Sequence, residues 1–216
     1  MKNINDFSMD FFSLKGKNAI VTGGVSGLGQ AFALALAKAG ANIFVFAAVD
    51  DDGTTQKLIE ACGVKYAFML GDITEDGICD KVADKCVETF GSIDILVNCA
   101  GICKIADVLD FGRAEWDPMI AINLTGAFDL SHAVAKYMIP QRSGRIINIC
   151  SLFSFLGGLG SPAYAAMKAG LFKEHIPADR WGERQDLMGA MVFLASKAAD
   201  YVNGTLLVVD GGYLVR

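Results

Sequence analysis

A glycine-rich turn between two apolar segments constrains the fold of this chain more than any other feature. The turn reads Thr22-Gly23-Gly24-Val25-Ser26-Gly27-Leu28-Gly29. Gly23 permits a tight turn, Gly27 allows a pyrophosphate to approach the backbone, and Gly29 allows close packing of the following helix. The start of that helix offers unpaired N–H groups and a partial positive charge to phosphates. We therefore predict a dinucleotide site at Gly23, Val25, Ser26, Gly27, Leu28 and Gly29; the alternative is a turn that only connects a strand to a helix.

Short apolar runs alternate with longer amphipathic ones, which is typical of repeated βαβ units. Strands are predicted at residues 18–21, 42–47, 65–70, 93–97, 145–150 and 205–209. Helices are predicted at residues 30–39, 54–61, 75–90, 116–137, 163–171 and 185–195. Residues 1–216 contain no internal repeat or linker. They are predicted to form a single α/β domain, a doubly wound Rossmann fold with a mostly or wholly parallel sheet and helices on both faces.

Composition argues against several classes of protein. Apolar residues make up 53% of the chain and charged residues 20%, which favours a heavily buried sheet. The net charge is −5 and the basic residues are scattered, so no nucleic-acid surface is expected. Every long apolar stretch is interrupted by a charge, Asn or Gly, and residues 1–10 do not resemble a secretory signal. The chain is expected to be cytoplasmic and to have no membrane partner.

The cysteines and histidines do not form a metal-binding pattern. The chain has six cysteines without a CxxC pair: Cys62, Cys79, Cys86, Cys99, Cys103 and Cys150. Most lie in apolar segments, which indicates buried thiols in a reducing compartment. The two histidines, His132 and His175, are far apart in sequence, so no metal site is predicted.

Four further motifs follow the glycine-rich turn. They are Asp72-Ile73, Asn98-Cys99-Ala100-Gly101, Asn123-Leu124, and Ser151 with Tyr164-Ala165-Ala166-Met167-Lys168. With the spacing Thr-Gly-x-x-x-Gly-x-Gly in the turn, their order resembles the short-chain dehydrogenase/reductase family over most of the chain. Cys99 departs from the family pattern, which has a second Asn at that place. The resemblance implies an NAD(P)-dependent oxidoreductase that interconverts a ketone and a secondary alcohol.

Tyr164 and Lys168 lie four residues apart on a predicted helix and therefore share a face. A nearby ammonium favours the ionised form of the phenol, so Tyr164 can exchange a proton near neutral pH. The resemblance implies that Ser151 hydrogen-bonds the substrate oxygen and that Lys168 also binds the nicotinamide ribose. It further implies that Asn123 holds a water that links Lys168 to solvent.

The resemblance also assigns residues to the remainder of the cofactor. Asp72 and Ile73 are expected beside the adenine, and Asn98, Ala100 and Gly101 beside the cofactor after the fourth strand. At the end of the second strand, where an acid reads the adenosine ribose, this chain has Ala47 and Ala48. The acidic run of residues 50–52 follows and would repel the 2′-phosphate of NADP, so NAD is expected in preference to NADP. The alternative is that these aspartates form a solvated loop.

The segments 176–182, 186–189 and 201–212 are similar to a subgroup of the family, the gluconate 5-dehydrogenases and the 2-deoxy-gluconate or 2-dehydro-3-deoxy-gluconate dehydrogenases. This implies a sugar acid or polyol as substrate and a homotetramer as the assembly. Arg180 could meet a substrate carboxylate, although a surface ion pair is the simpler interpretation. Trp181 is expected in the core or at an interface.

The family pattern breaks after Leu171, which is followed directly by Phe172. Roughly forty residues, including a sixth strand and a substrate lid, have no counterpart at this point. Either a segment of the natural chain is absent here, or the deletion is real and leaves a buried sheet edge bare. The first explanation is favoured. The second admits an alternative function, a nucleotide-binding protein on the same fold with impaired catalysis.

Overall fold

The core of the molecule is a parallel sheet. The computed structural model describes residues 6–104, 106–107, 109–151 and 177–215. The strands of these ranges are β1 (Asn18–Thr22), β2 (Asn42–Ala47), β3 (Tyr66–Leu70), β4 (Ile95–Asn98) and β5 (Arg145–Asn148). They lie in the order β3-β2-β1-β4-β5, and all neighbours pair in parallel. The order reverses at β1, as it does in a doubly wound sheet, which confirms the predicted fold class.

Six α-helices connect or follow these strands in the described ranges. They are α1 (Gly27–Lys38), α2 (Thr54–Glu60), α3 (Ile78–Phe90), α4 (Arg113–Ile120), α5 (Ala127–Gln141) and α6 (Met188–Ala195). A π-helical turn, Ala121–Gly126, joins α4 to α5. Short 3₁₀ turns occur at Met9–Phe12, Arg184–Leu187, Lys197–Ala199 and Tyr213–Val215. None of the helices in the described ranges has both the length and the apolarity that a membrane crossing requires.

The sheet is buried on both faces. On one face, Ala19 and Val21 of β1 pack with α1 and α6, and on the other face Ile20 packs with α3 and α5. Neighbouring strand residues point to opposite faces, so a short run that is entirely apolar supplies both cores. The prediction of helices on both faces is thereby confirmed.

The predicted helix 116–137 is interrupted. The helical segment begins at Arg113 and ends at Gln141, so it is longer at both ends than predicted. Between α4 and α5 it widens into the π-helical turn. The turn contains Asn123, whose side chain binds the backbone of Ile102 in the loop after β4. Such turns often occur at functional sites, and this one carries a contact that helical periodicity does not reveal. The predicted helix 185–195 likewise starts with a 3₁₀ turn, Arg184–Leu187.

The predicted last strand, 205–209, was wrong. These residues form no strand, and the side chains from Leu206 to Val209 are 43–58% exposed. A strand needs a hydrogen-bonded neighbour, and no described strand pairs with this segment. On β5, Ile146 is 42% exposed, so this side of the sheet carries uncovered apolar surface. The predicted strand 145–150 ends at Asn148, and the predicted helix 163–171 lies outside the described residues.

Candidate active site

The glycine-rich turn leaves the carboxyl end of β1 at Gly23. Gly23 has φ +67°, a left-handed conformation that glycine adopts without strain, and its N–H donates to the Phe46 carbonyl over 2.8 Å. A Cβ on Gly23 would lie 3.2 Å from the Cα of Ala100. The turn therefore touches the loop after β4, and both belong to one site.

Gly29, at the end of the turn, packs directly against Gly23 at its start. A Cβ at this position would lie 2.2 Å from the carbonyl oxygen of Gly23, which no side chain could tolerate. The close packing predicted for Gly29 is therefore present, and its partner is the turn. Gly24 is also sterically required, since a Cβ there would lie 2.9 Å from a methyl carbon of Val45. Gly24 was not predicted to have this role, because the restriction arises mainly from the neighbouring strand β2.

The start of α1 is open to a ligand. Its N-cap, Ser26, makes no side-chain capping hydrogen bond to the residues described, and Leu28 is 38% exposed. A Cβ on Gly27, which has φ +58°, would meet no described atom within 4 Å. The first amides of a helix lack intrahelical partners, so an anion placed here receives N–H donors and a favourable helix dipole. The turn thus fits the pyrophosphate of a dinucleotide.

Thr22 joins the two loops of the site. Its side chain is buried, and its hydroxyl oxygen accepts the N–H groups of Cys99 and Ala100 over 2.9 and 2.8 Å. The same hydroxyl donates to the Val97 carbonyl over 3.4 Å. Thr22 belongs to the glycine-rich motif, but no role was predicted for it. A hydroxyl residue at the end of an otherwise apolar strand was the available signal.

Asn98 connects β4 to its neighbours. Its amide nitrogen donates to Asn148 Oδ1 of β5 over 2.8 Å and to Ser131 Oγ of α5 over 2.9 Å. The residue is 6% exposed, and its Oδ1 has no hydrogen-bond partner among the residues that the structure describes. The side chain of Asn98 therefore supports the sheet edge, while half-buried Ala100 and exposed Gly101 form the loop surface beside the glycine-rich turn.

Asn123 is held beside the same loop. Its Oδ1 accepts the Ile102 N–H and its Nδ2 donates to the Ile102 carbonyl, both over 2.8 Å. This paired contact positions the loop after β4 against the π-helical turn. The water that the resemblance assigns to Asn123 remains a prediction.

Asp72 and Ile73 follow β3 at the same edge of the sheet. Asp72 is exposed, and its carboxylate accepts the Thr74 N–H over 2.9 Å and the Thr74 hydroxyl over 2.8 Å. Ile73 is 8% exposed and packs against Gly126, where a Cβ would come within 2.8 Å of it. Asp72 thus faces solvent, whereas the side chain of Ile73 belongs to the core. That these two residues lie beside the adenine stays a prediction.

Ser151 lies beyond the carboxyl end of β5 and is half-buried. Ile149, two residues earlier, donates its N–H to the Asn98 carbonyl over 3.0 Å, so the chain leading to Ser151 runs beside the loop after β4. Ligands of doubly wound sheets bind outside the carboxyl ends of the strands, where the order reverses. Tyr164 and Lys168, the other predicted catalytic residues, lie outside the described residues.

Arg180 and Trp181, the two residues near the C-terminus for which a role in binding or packing was considered, both lie at the surface. Arg180 forms a bidentate ion pair with Asp186, with N–O distances of 2.6 and 2.9 Å. The hydrogen bonds from Arg180 lower the pKa of Asp186 to about 2. The structure therefore supports the simpler interpretation of Arg180, as one member of a surface ion pair. Trp181 is 50% exposed, so it does not lie in the core of this chain, and its predicted place at an interface stays a prediction.

The thiols divide between the core and the surface. Cys79 and Cys86 are buried, and burial raises the pKa of the two thiols to about 11 and about 12, which makes them unreactive. Cys103 and Cys150 are exposed, so the expectation of burial fails for these two. Across the described ranges, no group of three or more His, Cys, Asp or Glu residues could hold a metal ion.

The closure of the turn on Gly29 generates a testable prediction. Gly29→Ala should raise the Kd for NADH by at least about tenfold and destabilise the fold by about 1–3 kcal/mol, because the new Cβ displaces Gly23. Fluorescence titration with NADH and urea unfolding measure the two effects.

Gly189→Ala is the matched control for Gly29→Ala. It places the same methyl group in α6, where no described atom lies within 4 Å of it. Alanine is the better helix former, so this variant should be neutral or stabilising by up to ~1 kcal/mol and should bind NADH normally. Equal behaviour of the two variants would contradict the steric role of Gly29.

The chain is similar to known oxidoreductases over nearly its whole length. Residues 17–173 match the family model of the short chain dehydrogenases, and residues 171–214 match the model described as enoyl-(acyl carrier protein) reductase. The chain is 56% identical to the uncharacterized oxidoreductase YgcW of Escherichia coli K12, over 100% of this chain and 99% of YgcW. It is 38% identical to the 2-dehydro-3-deoxy-D-gluconate 5-dehydrogenase of the same organism, over 95% and 98% of the two chains.

A solved structure extends the similarity to three dimensions. The gluconate 5-dehydrogenase of Burkholderia cenocepacia J2315, crystallised with NADP and tartrate, superposes with a TM-score of 0.89 at 31% identity, and the match covers 96% of this chain and 98% of that one. The open glycine-rich turn, the ordered motifs and these similarities agree on one conclusion. The chain belongs to the short-chain dehydrogenase/reductase family and is an NAD(P)-dependent oxidoreductase.

Proposed function

We propose that this oxidoreductase transfers a hydride between NAD(P) and a ketone or secondary alcohol of a sugar acid or polyol. The observation that carries the proposal is the placement of the glycine-rich turn, the loop after β4 and Ser151 together at the carboxyl edge of the sheet. Relatives named as dehydrogenases of 2-dehydro-3-deoxy-D-gluconate and gluconate support the substrate class.

On this proposal, the carboxyl edge of β3, β2, β1 and β4 would hold the cofactor. The amides of Ser26 to Gly29 would bind the pyrophosphate, Asp72 and the backbone of Ile73 would lie beside the adenine, and Ala100 and Gly101 would line the opposite wall. Asn98 supports this wall from within. Lys168 binds the nicotinamide ribose, a role that rests on the family resemblance alone.

The chemistry needs a proton as well as the hydride that the bound cofactor supplies or accepts. Ser151 donates a hydrogen bond to the substrate oxygen and orients it. Tyr164 gives its proton to that oxygen during reduction and takes the alcohol proton during oxidation. Lys168 stabilises the ionised phenol, which lowers the pKa of Tyr164 towards neutrality. Asn123 holds a water that connects Lys168 to solvent.

Turnover of sugar acids tests this proposal. The wild-type protein should change the absorbance of the reduced nicotinamide when gluconate-type acids and polyols are supplied with NAD or NADP. Tyr164→Phe should lower kcat by about 100-fold or more, because the hydroxyl that moves the proton is removed, and should leave the Kd for NADH unchanged.

Two outcomes of that experiment would contradict the proposal. Undiminished turnover by Tyr164→Phe would refute the proton-transfer role of Tyr164. Normal NADH binding without turnover of any hydroxylated substrate would favour the alternative, a nucleotide-binding protein with impaired catalysis. Ser151→Ala serves as an independent variant, since it removes the proposed substrate contact at a different element.

We further propose that the chain prefers NAD to NADP. Residues 47–56 contain Asp50, Asp51 and Asp52 and no Lys or Arg. Ala47 is buried at the end of β2 and Asp50 is exposed in the loop that follows. Carboxylates near the adenosine ribose repel a 2′-phosphate. The gluconate 5-dehydrogenase of Burkholderia cenocepacia was crystallised with NADP, so a preference for NAD in this chain would come from its own acidic loop after β2.

The ratio of kcat/KM for NAD over NADP measures this preference. It should be about tenfold or more in favour of NAD, which corresponds to about 1.4 kcal/mol of electrostatic discrimination. Asp50→Ser should reduce the ratio, because it removes one of the repelling charges. A wild-type ratio that favours NADP would contradict the proposal.

We propose, finally, that a segment belongs between Leu171 and Phe172 and that the complete protein is a cytoplasmic homotetramer. The alignment with YgcW spans 259 positions, whereas this chain has 216 residues. The two family models meet at residues 171–173, where the family pattern breaks. The exposed apolar side chains of Phe128 and Ile139 on α5 and of residues 206–209 suit burial by added chain or by other subunits.

Mass spectrometry tests the segment and the assembly together. The denatured natural protein should have a mass above 23.0 kDa, and the native protein four times that mass. A denatured mass at 23.0 kDa would contradict the added segment, and a native monomer would contradict the tetramer. Cell fractionation tests the cytoplasmic location, which a protein found only outside the cytoplasm would contradict.

A further inference from the structure

We propose that Thr55, together with Gln30, positions the glycine-rich turn for the cofactor. These side chains hold the carbonyl of Val25 so that the N–H of the same peptide group, on Ser26, points towards the pyrophosphate. Thr55 lies at the start of α2, outside the glycine-rich turn and outside the motifs of the family pattern. The inference rests on the proposed function, since it assumes that the turn binds NAD(P).

Thr55 reaches the turn from the neighbouring helix. Its side chain is completely buried, and its hydroxyl donates to the Val25 carbonyl over 3.2 Å. Gln30 of α1 donates to the same carbonyl over 3.2 Å and to the Thr55 hydroxyl over 2.8 Å. The Val25 carbonyl therefore has two donors that belong to two different helices and that also bind each other.

Because the peptide bond is planar, holding the Val25 carbonyl also fixes the direction of the Ser26 N–H. No cis peptide bond occurs in the described residues, so the carbonyl of Val25 and the N–H of Ser26 point in opposite directions. The carbonyl is held inward by Thr55 and Gln30. The N–H of Ser26 must then point outward, on the exposed side of the turn where α1 begins. Losing the anchor allows this peptide to rotate and turn its N–H away from a bound phosphate.

Asp51 in turn holds Thr55. One carboxylate oxygen of Asp51 accepts the N–H groups of Gly53 and Thr55 over 3.1 and 3.3 Å. The other accepts the N–H of Gln56 over 3.1 Å and the hydroxyl of Tyr66 on β3 over 2.7 Å. The N-cap of α2 is a glycine without a side chain, so Asp51 supplies the missing cap and fixes the helix to the sheet. The middle residue of the acidic run therefore acts on the cofactor site through Thr55.

Thr55→Val tests the proposal because valine keeps the shape of threonine and removes its hydroxyl. The Kd for NADH should rise about three- to tenfold, the cost of one lost hydrogen bond. The Kd for NADPH should rise by the same factor, because both cofactors share the pyrophosphate. The KM for the cofactor should follow the Kd, and kcat should stay unchanged. Fluorescence titration and steady-state kinetics measure these quantities.

Three further variants separate positioning from general stability. Thr55→Ser retains the hydroxyl and should restore the wild-type Kd. Gln30→Leu removes the second donor and should raise the Kd as Thr55→Val does, which keeps the test decisive should the buried valine not be accepted. Gln56→Gly is the matched control, since Gln56 is exposed on α2 and its side chain binds Glu60 over 2.9 Å without touching the turn. Glycine weakens the helix, so this variant should lower the Tm and leave the Kd unchanged.

Unchanged Kd values for NADH in Thr55→Val and Gln30→Leu would overturn the inference. A rise in Gln56→Gly equal to that in Thr55→Val would overturn it as well, since the effect would then follow from loss of stability. In both cases the proposed function survives if the wild-type protein binds NADH and turns over its substrate. Wild-type protein that binds neither NADH nor NADPH would overturn both.

Discussion

The buried hydroxyl of Thr22 is the interaction on which the site depends. It accepts two backbone N–H groups from the loop after β4, at the centre of a sheet in which β1 lies between β2 and β4. The chain after β1 and the chain after β4 are thereby held in contact, and Gly23, whose φ of +67° favours glycine, lies directly against Ala100. Parallel strands place both loops at one edge, so one hydroxyl at that edge defines the crevice where a dinucleotide fits.

Around Thr22, further polar side chains hold the backbone of the site in place through hydrogen bonds. Asn98 connects β4 to β5 and α5, Asn123 holds the loop after β4, and Thr55 reaches the glycine-rich turn from α2. Each of these side chains satisfies a backbone group or a neighbouring amide in a buried or half-buried setting, where an unpaired polar atom is costly. The first amides of α1 lack intrahelical partners, which is what binding of an anionic cofactor requires.

Much of this architecture was predictable from the sequence. The strands β1 to β3 begin and end within one residue of their predicted positions, because short apolar runs between glycine turns have few alternatives. The π-helical turn was not predictable, since the apolar spacing of residues 116–137 fits a continuous helix and does not reveal the contact between Asn123 and Ile102. The segment 205–209 has the apolar composition of a strand, but composition does not provide the neighbour with which a strand must pair.

The same distinction applies to the site. Gly23, Gly27 and Gly29 were recognisable from spacing because the positive φ of Gly23 and Gly27 and the contact of Gly29 with Gly23 arise within the turn. The contact of Gly23 with Ala100 was not recognisable in this way. The roles of Thr22, Gln30 and Thr55 were missed, because their partners lie on other elements. Asp51 was interpreted through its charge, whereas the structure shows its carboxylate capping α2. Local steric requirements are thus visible in a single sequence, and tertiary hydrogen bonds are not.

Hydrogen–deuterium exchange with and without saturating NADH tests the central claim most directly, because it reports the backbone amides that the cofactor covers. The account predicts slower exchange at residues 26–29 and at residues 100–101 when NADH is bound. Unchanged exchange at residues 26–29, with protection elsewhere on the chain, would contradict the placement of the cofactor on the glycine-rich turn.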